Sequence, residues 1–161
     1  MVGNGHRVYS TQALRVTKVI AAPLPYVYTW CTDYRSDDGK LSKRRPRIRY
    51  RVLRLSPRRL VRVRVAPRGR EEPYVAVDVL RFDPPRAWHT DQIDEDDRMT
   101  IDYQLSRLGP RRTRLVLRIT ERYVTPKFPT PAETRRRVNA TWDRLAAAVE
   151  TRYRSGRPAL G

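Results

Sequence analysis

Cysteine is almost missing from this chain. A single residue, Cys31, leaves no internal disulfide and no multi-cysteine zinc centre to build. Histidine is nearly as scarce: His6 and His89 are too little material for a histidine metal centre or a Ser-His-Asp triad. No apolar run reaches the ~18 residues of a membrane-crossing helix. Met1–Gln12 has no basic stretch leading into an apolar one, so no secretory leader is expected and the protein is read as cytoplasmic. Internal repeats and low-complexity tracts are also lacking. Metal ions and cofactors are not expected.

What remains is a chain of 161 residues, 39% hydrophobic and 32% charged, which fits one domain. At about 150 residues a domain buries roughly 70% of its unfolded surface, enough for one core. The charge is lopsided: 35 Lys and Arg against 17 Asp and Glu give +18, and only Lys18, Lys40, Lys43 and Lys127 among the basic residues are lysines. Such a field attracts phosphate-rich partners, either nucleic acid or an anionic membrane. It equally fits solvated sheet faces whose arginine stems cover apolar surface, and that reading is the favoured one.

Residues 1–12 are polar and without period, and are expected to form a flexible arm. Ala13–Ala21 is β-branched and alternates, predicting a strand stopped by Pro23 and Pro25. A short helix with proline in its first turn is expected over Pro25–Cys31, and a second helical turn over Asp37–Lys43. Six further strands are predicted at Arg47–Leu55, Arg59–Val65, Tyr74–Phe82, Ala87–Ile93, Met99–Ser106 and Thr113–Tyr123. Turn residues separate them, including Ser56-Pro57, Asp83-Pro84-Pro85 and Gly109-Pro110, and the short links require antiparallel pairing. The acidic loop Asp94–Asp97 lacks the spacing of a calcium loop and reads as a hairpin turn.

The clearest element is the last. Thr130-Pro131-Ala132-Glu133 is a capping box, and the helix it opens is expected to reach about Arg154 before Ser155-Gly156. Val138, Trp142, Leu145 and Val149 share one face. Residues 155–161 are expected to be a flexible tail. The order is strand, two short helices, six strands and a long helix, an α+β chain. A seven-stranded antiparallel sheet needs its apolar face covered, and only the long helix is large enough to cover it.

Alternation assigns the faces. Arg47, Arg49 and Arg51 oppose Ile48, Tyr50 and Val52. Arg62 and Arg64 oppose Val61, Val63 and Val65. Arg114, Arg118 and Arg122 oppose Leu115, Leu117, Ile119, Glu121 and Tyr123. The apolar rows are expected on the concave side and the arginine rows on the convex, wet side. Glu121 and Lys18 fall in apolar rows, where unpaired burial would cost several kcal/mol. They could pair with each other or with Arg135, or fix the polar end of a ligand. Asp78 has apolar neighbours on both faces, so its direction is undecided. His89 falls outward, opposite in parity to Trp88. Cys31 reads as a small core residue.

Three stretches resemble the START/Bet v 1-like (SRPBCC, helix-grip) superfamily. These are Lys18–Pro23 followed by Tyr26-Val27-Tyr28 and Asp33, the segment Phe82-Asp83-Pro84-Pro85-Arg86-Ala87-Trp88, and the capped terminal helix. Together they span about residues 13–154, the expected domain. The resemblance implies a strongly curved sheet wrapped around the terminal helix with a cavity between them. It implies binding of hydrophobic or amphipathic molecules such as lipids, quinones or polyketides, and no shared catalytic motif.

The expected function is therefore non-catalytic binding of such a molecule. The alternatives are a polyketide cyclase/aromatase-like enzyme, and a basic interaction protein for RNA or an anionic membrane. The expected cavity lining combines Trp30, Tyr50, Val63, Trp88 and Tyr103 with Leu117, Glu121, Trp142 and Leu145, all assigned inward by parity or helical phase. No residue is assigned a catalytic role.

Overall fold

The computed structural model describes residues 9–34, 48–68, 71–95, 97–124 and 130–160. Strand β1 runs Tyr9–Ile20, helix α1 Leu24–Cys31, and then come β2 (Arg49–Ser56), β3 (Arg59–Arg68), β4 (Glu71–Asp83), β5 (Ala87–Ile93), β6 (Asp97–Gly109) and β7 (Arg112–Val124). Helix α2 closes the chain at Pro131–Arg154. The strands form one seven-stranded sheet in the order β1-β7-β6-β5-β4-β3-β2. All neighbours are antiparallel; β2 to β7 pair in chain order through short links, and β1 pairs with β7. This is the α+β arrangement of a sheet gripping its terminal helix. The second helical turn expected at Asp37–Lys43, and Arg47, lie outside the described residues.

Strand β1 begins four residues earlier than alternation predicted. Tyr9–Gln12 were expected in the arm, but they pair with Val124–Glu121. Ser10, Thr11 and Gln12 carry no apolar signal, and ladder bonds to β7 hold them instead. Three register shifts, at Arg54/Ser56, Ala66/Arg68 and Arg107/Gly109, lie near strand ends, where such bulges bend a sheet.

The capping box forms as expected: Thr130 Oγ1 accepts from Glu133 N–H, and the Glu133 carboxylate accepts from Thr130 N–H at 2.7 Å. At the other end Gly156 takes φ +70°. Its N–H reaches Tyr153 O at 3.0 Å and Arg157 N–H reaches Arg152 O at 3.3 Å, the paired bonds of a Schellman turn. Residues beyond it were expected to be a flexible tail. Instead Tyr26 donates its hydroxyl to Arg157 O at 2.8 Å, Arg152 Nε donates to Pro158 O at 2.6 Å, and Ala159 packs on the core.

The core joins β1 and β7 to both helices through Val16, Ile20, Leu115, Leu117, Val27 and Val149, all nearly inaccessible to water. Helix α2 lies along β1. Ala21 N–H donates to Glu150 at 2.8 Å, and Lys18 donates to Asp143 at 2.6 Å.

Candidate functional site

Register fixes which side chains share the concave face. One row across the sheet is Val16–Leu117–Tyr103–Trp88–Phe82. Trp88 and Tyr103 stack with centroids 4.4 Å apart and planes 9° apart. Tyr28 from α1 meets the edge of Trp88 at 6.0 Å, and Trp142 from α2 approaches Tyr103 at 5.7 Å. Burial pushes the Tyr103 phenol well above its ordinary pKa, so it is a neutral hydroxyl. Trp142 and Leu145 are half-buried against the core, as are Val52, Met99 and Ile101 on the sheet, and Tyr50 is half-buried nearer the β2 edge. Leu117 and Trp30 are buried more deeply, within the packed core.

The structure reverses the expected faces of β3. Leu60, Arg62, Arg64 and Ala66 point to the concave side, opposite Leu80, Asp78, Ala76 and Tyr74 of β4. Val63 therefore faces the convex side with Val61 and Val65, and it does not line the concave face. The physical reason is Asp78, which is 1% exposed. A buried carboxylate requires partners, and Arg62 and Arg64 supply them at 2.8 and 3.2 Å. Placing arginines outward by charge alone fails where an opposite charge waits across the ladder. The Arg62 guanidinium also lies over the rings of Tyr34 (4.8 Å) and Tyr50 (5.5 Å), favourable cation–π geometry. Arg64 Nε is buried without a hydrogen-bond partner.

A second polar group occupies the same face nearer β1. Glu121 is buried, as its place in an apolar row predicted. It is bonded by Gln12 Nε2, which also reaches Thr134 Oγ1 of α2 at 3.2 Å. Neither expected partner reaches it: Lys18 is taken by Asp143, and Arg135 donates to Arg15 O at 3.4 Å. Its titrating neighbour is Asp97. Burial, the Glu121 charge, a hydrogen bond with Glu121 and the charge of Asp94 push the Asp97 carboxyl up to about 7. Asp94 accepts from Tyr74 Oη at 2.7 Å and caps Asp97 N–H at 2.8 Å, so this loop is a hairpin turn as expected.

The convex face holds His89, bonded through Nδ1 to Asp102 at 2.7 Å. A depression of about 350 Å³ opens beside it, lined among others by Arg81, Val116 and Arg118. Among the described residues no His, Cys, Asp and Glu side chains converge as a metal site. No described helix is long and apolar enough to cross a membrane.

Sequence reasoning missed the Arg62–Asp78–Arg64 cluster, Gln12 and Asp97. Two arginines spaced by two along β3, with an aspartate breaking the valine run of β4, were the available signal for the first. Pairing register, which the sequence does not display, was needed to read it.

Neither a protein-family model nor a curated protein matches the chain by sequence. Solved structures do match. The Zhui aromatase/cyclase from Streptomyces superposes with a TM-score of 0.56 at 20% identity, over 88% of this chain and 90% of that one. Ara h 8.0201 gives 0.62 at 12% identity, over 91% and 99%. A START superfamily protein from Mycobacterium smegmatis gives 0.60 at 18% identity, over 87% and 95%. At these identities the likeness establishes the fold.

Proposed function

We propose, for a chain with the helix-grip fold of the START/Bet v 1-like proteins, that the concave face takes up an amphipathic small molecule whose polar end is oxygen-rich or anionic. The observation that carries this reading is the Arg62–Asp78–Arg64 cluster set among aromatic rings on that face. Two guanidiniums bracket one carboxylate there. The unpartnered Arg64 Nε is a donor whose satisfaction by a ligand oxygen recovers a penalty of about 1–3 kcal/mol. The half-buried Ile101, Met99 and Trp142 supply apolar area, which stabilises a bound chain by about 25 cal/mol per Å² covered. Polar groups then fix orientation.

The test is uptake of an anionic, environment-sensitive naphthalene sulfonate dye by the native protein. Binding near one to one is expected. Ile101→Trp, which fills the concave face between Thr90 and Ile119, should abolish it, whereas Val63→Trp on the convex side should leave it intact. Loss with Val63→Trp but not with a folded Ile101→Trp would overturn the reading.

A second reading, a cyclase-like enzyme, draws support from Asp97. A carboxyl that holds its proton to about pH 7 on the ligand-facing side can act as a general acid at neutral pH. Turnover of a poly-β-ketone substrate that is lost in Asp97→Asn with dye binding retained would favour it.

A further inference from the structure

The reversed faces of β3 leave an unusual convex surface. Ladder pairs place Leu53 beside Val61 and Val79, and Val63 beside Val77 and Ile93, with Val65 and Val75 completing the block. Leu53 is 62% exposed, Ile93 45% and Val75 43%. Arg49 and Arg51 of β2 pair with Val65 and Val63, and Arg98 of β6 pairs with Ile93, so exposed arginines edge this aliphatic block on two sides. Asp91, which adjoins Val79, is taken up by Arg81 at 3.3 Å. The rest of the convex face carries exposed Arg15 on β1 and Arg114, Arg118 and Arg122 on β7, with the exposed Asp102 of β6 bonded to His89.

We propose that this convex face docks on an anionic lipid bilayer. Its aliphatic half enters the boundary between headgroups and acyl chains, and its arginines contact the anionic headgroups. Three features select this partner. The block is wholly aliphatic, whereas protein-binding hot spots draw on Trp, Tyr and Arg and use Leu and Val sparingly. The block offers no aromatic platform on which nucleic-acid bases could stack, and Tyr9 on β1, an exposed ring of the wider face, lies under the Arg122 guanidinium at 4.4 Å. A second copy would bring identical arginine rows together on chains that each carry +18, and like charges oppose that contact. An apolar surface edged by cations matches the two forces that hold proteins at a membrane surface, burial of apolar area and attraction to anionic lipid. The inference does not depend on what the concave face binds.

The experiment is flotation of the full chain with vesicles of phosphatidylcholine alone or mixed with phosphatidylserine. Binding to the mixed vesicles is expected, weakening as salt is raised. The double change Leu53→Ser and Ile93→Ser removes two exposed side chains without touching the core, and should lower partitioning by roughly tenfold or more. Arg49→Gln with Arg51→Gln should lower it by a comparable, salt-sensitive factor. Dye uptake in both variants should match the parent. The proposal is overturned if the parent stays unbound, or if phosphatidylcholine alone binds it equally well. It is also overturned if a folded Leu53→Ser/Ile93→Ser protein floats like the parent. RNA binding that is lost with the arginines but indifferent to Leu53 and Ile93, without flotation, would assign the face to nucleic acid instead.

Discussion

Arg62 and Asp78 face each other across the β3–β4 ladder, their charged groups 2.8 Å apart on the concave side of the sheet. This pair sets the direction of every side chain on β3. With Arg62 inward, Leu60 is buried against Leu80, and the valines of both strands turn to the convex surface. The polar end of the proposed ligand site and the aliphatic half of the proposed membrane face are consequences of the same register.

Removing Asp78 takes away the buried carboxylate that both Arg62 and Arg64 bond. Asp78→Ala should cost about 3–5 kcal/mol, the range for breaking a buried ion pair from one side. Adding Arg62→Met to that variant should restore part of the loss, because an apolar side chain of similar length replaces the guanidinium that bonded Asp78. Urea denaturation of the single and double variants measures both. A loss under 1 kcal/mol for Asp78→Ala would mean the cluster is solvated and holds no register.

Thr130 tests the entry to α2 separately. Its hydroxyl oxygen accepts from Glu133 N–H, and the Thr130 amide and hydroxyl hold the Glu133 carboxyl below its ordinary pKa. Thr130→Ala should destabilise the protein by about 1 kcal/mol. The same denaturation experiment reads this, and dye uptake should be unchanged because the cap lies outside the concave face.

Most of the architecture is legible in the chain because it rests on local chemistry. The capping box, the glycine after α2, the turn prolines and the alternation on β7 each act within a few residues. Glu121 was placed inward correctly because Ile119 and Tyr123 flank it on a strand with a single apolar row. The strand β3 has two regular rows, valine and arginine, and hydropathy chose the wrong one. The deciding partner, Asp78, is sixteen residues away and itself lies between valines. Gln12 is a comparable case. Its burial comes from Glu121 and Thr134, both more than a hundred residues distant.

Asp97 predicts a pH dependence. Its folded pKa, about 7, lies above the ordinary value of 3.8. The native state therefore binds the proton more tightly than the unfolded chain between those two values. Stability contributed by the protonated carboxyl is full below about pH 4, declines as pH rises, and is gone above about pH 7. Asp97→Asn should remove that slope from the stability–pH curve, with the largest difference between parent and variant slopes between about pH 4 and 7. Parallel slopes for both proteins would place the titrating group elsewhere.

Selectivity gives the sharpest test of the concave face. The cluster presents a buried guanidinium donor, Arg64 Nε, so it should distinguish an anionic amphiphile from a neutral one of the same length. A long-chain fatty acid and the matching fatty alcohol bury the same apolar area and differ at the polar end. Their affinity ratio thus isolates the cluster from the aromatic wall. A charge-assisted hydrogen bond contributes about 1.5–3 kcal/mol, so the acid should bind roughly tenfold to a hundredfold more tightly. Arg64→Gln removes the guanidinium whose Nε has no partner and leaves Arg62 on Asp78. In that variant the acid should lose most of its advantage while the alcohol binds as before. Displacement of the bound dye measures both affinities on the same protein. If acid and alcohol weaken together, Arg64 shapes the fold and not the polar end of the site. If neither changes, the ligand's polar group lies toward Glu121 and Asp97 instead.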